Sequence, residues 1–245
     1  MDRLKCTIAY DGTDFSGFQV QPNDRTVQGD IENALKKLHK GEDIRIHPSG
    51  RTDAGVHAHG QVVHFDSSFV IPAERWVIAL NTLLPDDIVV TNVEQVDMNF
   101  HARYDVVKKE YRYFLLNQKD RDVFRKNHSY HYPYLVNLEK VIEGSKHLLG
   151  THDFTSFCST KSDKENKIRT IEEIEIKQIG NEIVFRFVGN GFLYNMVRII
   201  VGTLLKVGQG RLSPEDIKGI LDKKDRKAAG KTAPAHGLYL WRVWY

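Results

Sequence analysis

The sequence is arranged around the stretch Ser49-Gly50-Arg51-Thr52-Asp53-Ala54-Gly55-Val56-His57-Ala58. Gly50 and Gly55 can adopt backbone angles that other residues avoid, so they predict a tight turn that holds one side chain towards a ligand. Arg51 is near enough in sequence to keep the carboxylate of Asp53 ionised and to contact an anionic partner. The residues alone therefore predict a loop that presents a carboxylate, without assigning it a chemical role.

Hydrophobic periodicity on both sides of this loop predicts strands and helices in alternation. Leu4, Cys6, Ile8 and Tyr10 alternate with more polar residues, which is typical of a half-buried strand. Helical spacing begins after Thr26, a suitable N-cap. The predicted order is strand 4–10, helix 26–40, strand 44–48, the loop, strand 61–65, helix 72–85 and strand 88–96. This order favours an α+β fold with helices over one face of a sheet.

The second half of the sequence repeats the same coarse arrangement, without matched identities. It contains a predicted strand 109–117, helix 138–149, a hairpin of 171–179 and 182–188 across Gly180-Asn181, helix 192–207, a helix after Ser213-Pro214 and strand 238–243. This echo of the first half indicates a second unit, 105–245, after a first unit, 1–104, and does not prove an internal repeat.

Composition narrows the class of protein. The 245 residues can bury a substantial core, and 41% hydrophobic with 27% charged residues indicates an ordinary globular protein. Cys6 and Cys158 cannot build a disulfide framework, so we expect a reducing cytoplasm. We expect no membrane segment and no secretion leader. The net charge of +3 permits an anionic partner without indicating one strongly.

Asp53 has an ordinary interpretation beside the functional one. A lone aspartate in a glycine-rich turn most often bonds its own backbone. The density of Arg51, Thr52, His57 and His59 around it favours a function. No second acid lies in the motif, so glycosidase chemistry by paired carboxylates lacks its partner, whereas a single carboxylate acting as nucleophile or base stays open.

Three histidines, His57, His59 and His64, suggest a metal site at first sight. Zinc sites usually add cysteine or carboxylate ligands at recognisable spacings, and the deaminase pattern of H-x-E followed by a cysteine pair is absent. We therefore expect structural or RNA-contacting histidines and no metal.

Three further residues have both an ordinary and a functional interpretation. Arg198 lies in an apolar helical run, where either its stem packs while its head reaches water or it pairs with a carboxylate or phosphate. Tyr111 and Tyr113 alternate with Arg112 on a strand, where aromatic rings either pack in the core or stack on bases.

The motifs together resemble the bacterial tRNA pseudouridine synthase A family over essentially the whole chain. The resemblance is carried by the Asp53 loop and by four further groups in the family's order: Ala9-Tyr10-Asp11-Gly12-Thr13 with Phe15-Ser16-Gly17-Phe18-Gln19, Lys109-Glu110-Tyr111-Arg112-Tyr113, Gly191-Phe192-Leu193-Tyr194-Asn195-Met196-Val197-Arg198, and Ala233-Pro234-Ala235-His236-Gly237-Leu238.

This resemblance implies conversion of uridine to pseudouridine at positions 38, 39 and 40 in the anticodon arm of tRNA, without cofactor or metal. It implies two similar α+β domains in each chain, each a mixed, mainly antiparallel sheet with helices on one face, whose sheets meet at a basic cleft. It also implies an enzyme that acts as a homodimer. It places Asp53 on the nucleophile, Tyr111 on the residue that contacts the target uracil, and Arg51 on a residue that helps to flip the base. Arg198 matches the basic residue near the catalytic aspartate, and Leu238 matches an apolar pocket wall.

Two other functions stay open at this point. A non-catalytic RNA-binding protein of similar fold would bind RNA with a strong salt dependence and change no uridine. A metal hydrolase would use His57, His59 and His64.

Overall fold

The computed structural model describes residues 1–245 and confirms the α+β fold. Its contacts divide the chain into two compact units, residues 1–107 with 239–245 and residues 108–238. The domain boundaries predicted from the sequence, the likeness of the two domains and the basic cleft stay predictions. The elements in chain order are β1 (Asp2–Tyr10), α1 (Val27–Leu38), β2 (His47–Pro48), β3 (His57–Ser67), α2 (Ala73–Leu83), β4 (Ile88–Val96), β5 (Lys108–Leu116), β6 (Tyr130–His131), α3 (Leu138–Lys146), β7 (Gly150–Asp153), β8 (Ile168–Ile179), β9 (Glu182–Gly189), α4 (Met196–Gly208), α5 (Asp216–Lys223) and β10 (Leu238–Trp244).

The first unit is a sheet of order β4-β1-β3-β10 with two helices, α1 and α2. Strand β1 pairs antiparallel with β3 and β4, whereas β10 runs parallel to β3. Every second residue of β1 is buried, as the alternation predicts. Trp76 on α2 packs edge-on against Phe65 of β3, with ring centroids 5.5 Å apart. At the start of α1 the side chain of Thr26 accepts a bond from the Gly29 N–H, which confirms the predicted N-cap.

The second unit is a sheet of order β5-β9-β8-β7 with helices α3, α4 and α5. Its four strands pair antiparallel, and the short β6 runs parallel to β5. Strands β8 and β9 form the predicted hairpin, with Gly180 in the left-handed region at φ 59°. Tyr113 and Phe185 are opposite each other on the buried face of the β5–β9 pair.

Two local predictions are wrong. Helix α4 starts at Met196 instead of Phe192, because Asn195 adopts a left-handed conformation at φ 62° that no helix continues through. The predicted strand 44–48 is reduced to His47–Pro48. Ile44 and Ile46 are buried, at 8% and 2% exposure. Their alternation with polar residues therefore reflects burial, although neither residue belongs to a strand. None of the helices has the length and apolar character required to cross a membrane.

Candidate active site

The loop that carries Asp53 is fixed at its start by Gln61 of β3. The Oε1 of Gln61 accepts a bond from the Ser49 hydroxyl at 2.6 Å, and its Nε2 donates to the Gly50 carbonyl at 2.8 Å. The Ser49 N–H also donates to the carbonyl of Val62 at 2.7 Å. Gln61 and Ser49 are buried, so these bonds replace water that neither group can reach.

The residue before Asp53 is held from the end of β1. The hydroxyls of Tyr10 and Thr52 lie 2.7 Å apart and are both buried. The carbonyl of Thr52 accepts a bond from the Phe18 N–H at 3.1 Å. Thr52 is therefore fixed through its side chain and its backbone by two different segments of the first unit.

Two glycines let the segment between β1 and α1 approach this loop. A Cβ atom at Gly12 would lie 2.1 Å from the carbonyl oxygen of Val56, which is closer than real atoms come. Gly17 has φ 103° and its missing Cβ would lie 3.0 Å from the carbonyl oxygen of Thr52. Both positions require glycine, because backbone packs against backbone there.

Asp53 itself is half-buried at the turn of the loop. The Val56 N–H donates to the Asp53 carbonyl at 3.1 Å, and Gly55 has φ 74°. The turn is closed by this bond, and Ala54 at its tip is exposed. Arg51 is also exposed. The loop thus combines a backbone held by hydrogen bonds with a half-buried carboxylate.

The three histidines once considered as metal ligands have different neighbours. His57 is buried, its Nδ1 accepts from the Gly12 N–H at 3.0 Å, and its ring stacks 4.5 Å from that of Tyr239. The exposed His59 lies 4.3 Å from the ring of Trp241. His64 is buried beside His47, with ring centroids 4.9 Å apart. Each ring is used in packing within the first unit.

Tyr111, Arg198 and Leu238 all belong to the second unit, whereas Arg51 and Asp53 belong to the first. Tyr111 on β5 is half-buried, and its ring meets that of Phe192 edge-on with centroids 5.1 Å apart.

Two acceptors hold the guanidinium of Arg198 within its own unit. Its Nε donates to the carbonyl of Ala233 at 2.7 Å, and its Nη1 donates to the Oδ1 of Asn195 at 2.9 Å. The Ala233 N–H in turn donates to the Arg198 carbonyl at 3.0 Å. Burial, helped by the positive charge of Arg198, lowers the pKa of His236 below its ordinary value.

Tyr113 links β5 to the segment that precedes β10. The sequence predicts only base stacking or core packing for this residue. Its hydroxyl donates to the carbonyl of Pro234 at 2.9 Å, and its ring would lie 2.7 Å from a Cβ at Gly237. Burial raises the pKa of Tyr113 well above its ordinary value, and the charge of Arg198 opposes this shift. Leu238, which follows Gly237, is 6% exposed and begins β10.

A buried carboxylate beside Tyr111 was also missed. Glu110 is 3% exposed, and its oxygens lie 2.6 Å from the Nε of Arg112 and 3.2 Å from the Nε of Arg186. Alternation along β5 placed Glu110 and Arg112 on one face, but no pattern in one strand reveals that Arg186 of β9 lies opposite. Asn195 lies inside the run 192–207 that the sequence predicts as helix, so the sequence does not mark it as the residue that precedes α4.

The chain matches one family of known sequences in two segments. The family described as tRNA pseudouridine synthase matches residues 7–105 and 145–245. The chain belongs to this tRNA pseudouridine synthase family. A relative named tRNA pseudouridine synthase A 1 from Bacillus cereus is 60% identical over 245 residues, which are 100% of this chain and 99% of the relative. The tRNA pseudouridine synthase A of Bacillus subtilis is 57% identical over 244 residues, with 99% of each chain covered.

The segments matched to the pseudouridine synthase family contain Arg51 and Asp53 in the first and Arg198 and Leu238 in the second. Tyr111 lies between the segments, in a part of the chain that the full-length relatives still cover. Among solved structures, a Cbf5-Nop10-Gar1 complex is 14% identical and covers 82% of this chain and 54% of its own at a TM-score of 0.37.

Proposed function

We propose that the protein isomerises uridine to pseudouridine at positions 38, 39 and 40 of the anticodon arm of tRNA, with Asp53 as nucleophile. Family membership and relatives 60% identical over the whole chain give the reaction class, which is isomerisation of uridine in tRNA. The observation that supports Asp53 most directly is the construction of its loop, where hydrogen bonds to Ser49, Gly50 and Thr52 hold the backbone beside a half-buried carboxylate.

The chemistry needs a carboxylate that can bond and leave again. The N-glycosidic bond between N1 and the ribose C1′ breaks, the uracil turns, and C5 bonds to C1′ while the C5 proton is lost and N1 gains one. No atom other than exchanging protons enters or leaves, so the reaction consumes no oxidant or reductant. Asp53 as nucleophile splits the exchange into two steps, by attack on either the ribose or the uracil ring.

A uridine in a stem reaches an enzyme only after it leaves the helix. Arg51, exposed on the loop, is proposed to help flip the base, because a guanidinium can hydrogen-bond phosphates and bases. Tyr111 is proposed to contact the flipped uracil with its half-buried ring, and Leu238 to form an apolar wall of the pocket. Arg198 is proposed to favour the ionised form of the nucleophile, a role that follows from the family resemblance.

We further infer a homodimer that works in the cytoplasm. Cys6 and Cys158 are both buried free thiols, a state that suits a reducing compartment. Sedimentation velocity at micromolar protein tests the dimer, which should sediment near twice the mass of one chain, and a single species at the monomer mass would contradict it.

Site mapping on defined transcripts tests the proposed function. Purified protein should convert uridines at positions 38, 39 and 40 of a tRNA transcript, and cytidine at those positions should abolish pseudouridine formation. Conversion confined to other positions would overturn the positional claim. Salt-dependent binding without any conversion would instead support the non-catalytic RNA-binding alternative.

A further inference from the structure

Asn195 departs from the usual behaviour of a residue at the start of a helix. It directly precedes α4 in the N-cap position, with φ 62° and ψ 7° in the left-handed region. Asparagine tolerates this region better than most residues. An N-cap side chain normally accepts a bond from a backbone N–H of the first turn, which stabilises a protein by about 1 kcal/mol. Asn195 makes no such cap bond.

The side chain of Asn195 is directed to Arg198 instead. Its Oδ1 lies 2.9 Å from the Nη1 of Arg198, three residues further along the chain. A guanidinium only donates, so the amide oxygen, and not the amide nitrogen, faces it. Arg198 lies in the first turn of α4, where the positive end of the helix dipole disfavours a cation. The arginine therefore occupies an unfavourable place that Asn195 helps to compensate.

The position of the Ala233 carbonyl, another acceptor for Arg198, depends on a close backbone crossing. A Cβ at Gly202 of α4 would lie 1.8 Å from the Lys231 carbonyl oxygen, and one at Gly230 would lie 2.6 Å from the Gly202 carbonyl oxygen. The segment 230–233 therefore lies directly on the helix and brings the Ala233 carbonyl to the Nε of Arg198. Bonds at two separate nitrogens, to Ala233 and Asn195, fix the plane of the guanidinium.

We propose that Asn195 is a positioning residue that holds the Arg198 guanidinium in the orientation required for uridine isomerisation. The inference rests on the proposed function, because the catalytic use of Arg198 comes from there. Asn195 lacks the usual N-cap hydrogen bond, and helix α4 gains no stability in exchange. Departures of this kind are expected where a side chain serves function. Asn195 acts through Arg198 and needs no contact with the uridine.

Two substitutions at this position separate the side chain from the backbone. Asn195→Gly removes the acceptor and keeps the left-handed backbone free of strain. Asn195→Asp keeps an oxygen acceptor in a residue that also tolerates this conformation. Asn23→Gly is the matched control, since Asn23 is exposed and has φ 63°.

The readout is turnover of tRNA labelled with tritium at C5 of uridine, with kcat and KM measured separately. Misplacing Arg198 should lower the kcat of Asn195→Gly by roughly 10- to 100-fold. Its KM and its thermal midpoint should stay close to those of the unchanged protein. Asn195→Asp should retain more of the kcat than Asn195→Gly does, and Asn23→Gly should match the unchanged protein.

Several outcomes would overturn the inference. These are an unchanged kcat in Asn195→Gly, a loss confined to KM, a loss of stability that accounts for the loss of activity, or an Asn195→Asp variant as slow as Asn195→Gly. Single-turnover rates add a further check. Arg198→Met already lacks the guanidinium, so adding Asn195→Gly to it should not slow the reaction further, and a full additional loss would show that Asn195 acts elsewhere. If the unchanged protein releases no tritium from tRNA, the proposed function fails, whatever the Asn195 variants do.

Discussion

The hydroxyl of Tyr10, at the end of β1, lies 2.7 Å from the Oγ1 of Thr52, the residue before Asp53. Both side chains are buried, at 5% and 7% exposure. The bond therefore joins the sheet of the first unit to the loop that carries the proposed nucleophile. A buried bond of this kind stabilises the fold and limits the positions that Asp53 can reach.

Tyr10→Phe should destabilise the protein and slow the reaction. The substitution leaves the Thr52 hydroxyl buried without its partner, which costs roughly 1–3 kcal/mol of unfolding free energy. A lower urea midpoint and a lower kcat are expected. Tyr104→Phe, which removes a hydroxyl from a residue that is 76% exposed, is the matched control and should change neither. Equal midpoints for the two variants would show that the Tyr10–Thr52 bond contributes nothing.

Gly202→Ala should be strongly unfavourable although it lies in a helix. Its Cβ would lie 1.8 Å from the Lys231 carbonyl oxygen, so the segment 230–233 has to move away from α4. Overpacking of this kind costs typically about 1–3 kcal/mol. Displacement of Ala233 should also lengthen the bond to Arg198 and lower kcat. Thermal unfolding and turnover measure the two effects.

The control for this substitution is Gly219→Ala on α5. Gly219 is exposed and has no atom within 4 Å of its missing Cβ. Alanine there should raise the unfolding free energy by roughly 0.5–1 kcal/mol, because glycine is the poorer helix former. Opposite signs at the two glycines are the expected result, and a stable, fully active Gly202→Ala variant would contradict the close crossing.

Acid should destabilise the first unit through His64. Burial, followed by the charges of His47, Arg3 and His101, lowers the pKa of His64 from 6.5 to about 4 in the folded protein. Between these two values the unfolded chain binds the proton and the folded protein does not. Above pH 6.5 the His64 side chain therefore does not lower the unfolding free energy, whereas it lowers it progressively as the pH falls towards 4. The unfolding free energy changes by at most about 1.4 kcal/mol per pH unit through this one group.

The variant His64→Gln tests this assignment. Glutamine keeps an acceptor that can take the bond from the Ala102 N–H, which His64 now accepts at 3.1 Å, and it cannot titrate. Unfolding free energies measured between pH 4 and 7 should fall less steeply in the variant, although His101, whose pKa is also lowered, keeps part of the slope. Parallel curves for the two proteins would exclude His64 as the cause.

The periodicity of apolar residues predicted most of the helices and strands. This works because buried side chains recur every second residue in a strand and every three to four residues in a helix. The alternation in β1, the Thr26 cap and the β8–β9 hairpin across Gly180 are confirmed. The start of α4 was not predicted, since an apolar run does not show that Asn195 takes a left-handed conformation.

The residues that hold the proposed site residues in position were harder to predict from the sequence than the site residues themselves. The motif pointed to Asp53, but the bonds from Gln61 and Tyr10 join segments that only the fold brings together. The same holds for Glu110, which meets Arg186 across two strands, and for Ala233, which meets Arg198 only because Gly202 has no side chain. Such contacts have no period, so one sequence does not reveal them.

Tritium release by Asp53→Asn tests the central claim most directly. Asparagine keeps the size of the side chain and removes its nucleophilic charge, so the fold and the loop should persist. We expect no tritium release above background from tRNA labelled at C5 of uridine, with tRNA affinity largely intact because the contacts that other residues make with the tRNA are retained. Near-normal turnover by this variant would contradict the assignment of Asp53 as the nucleophile.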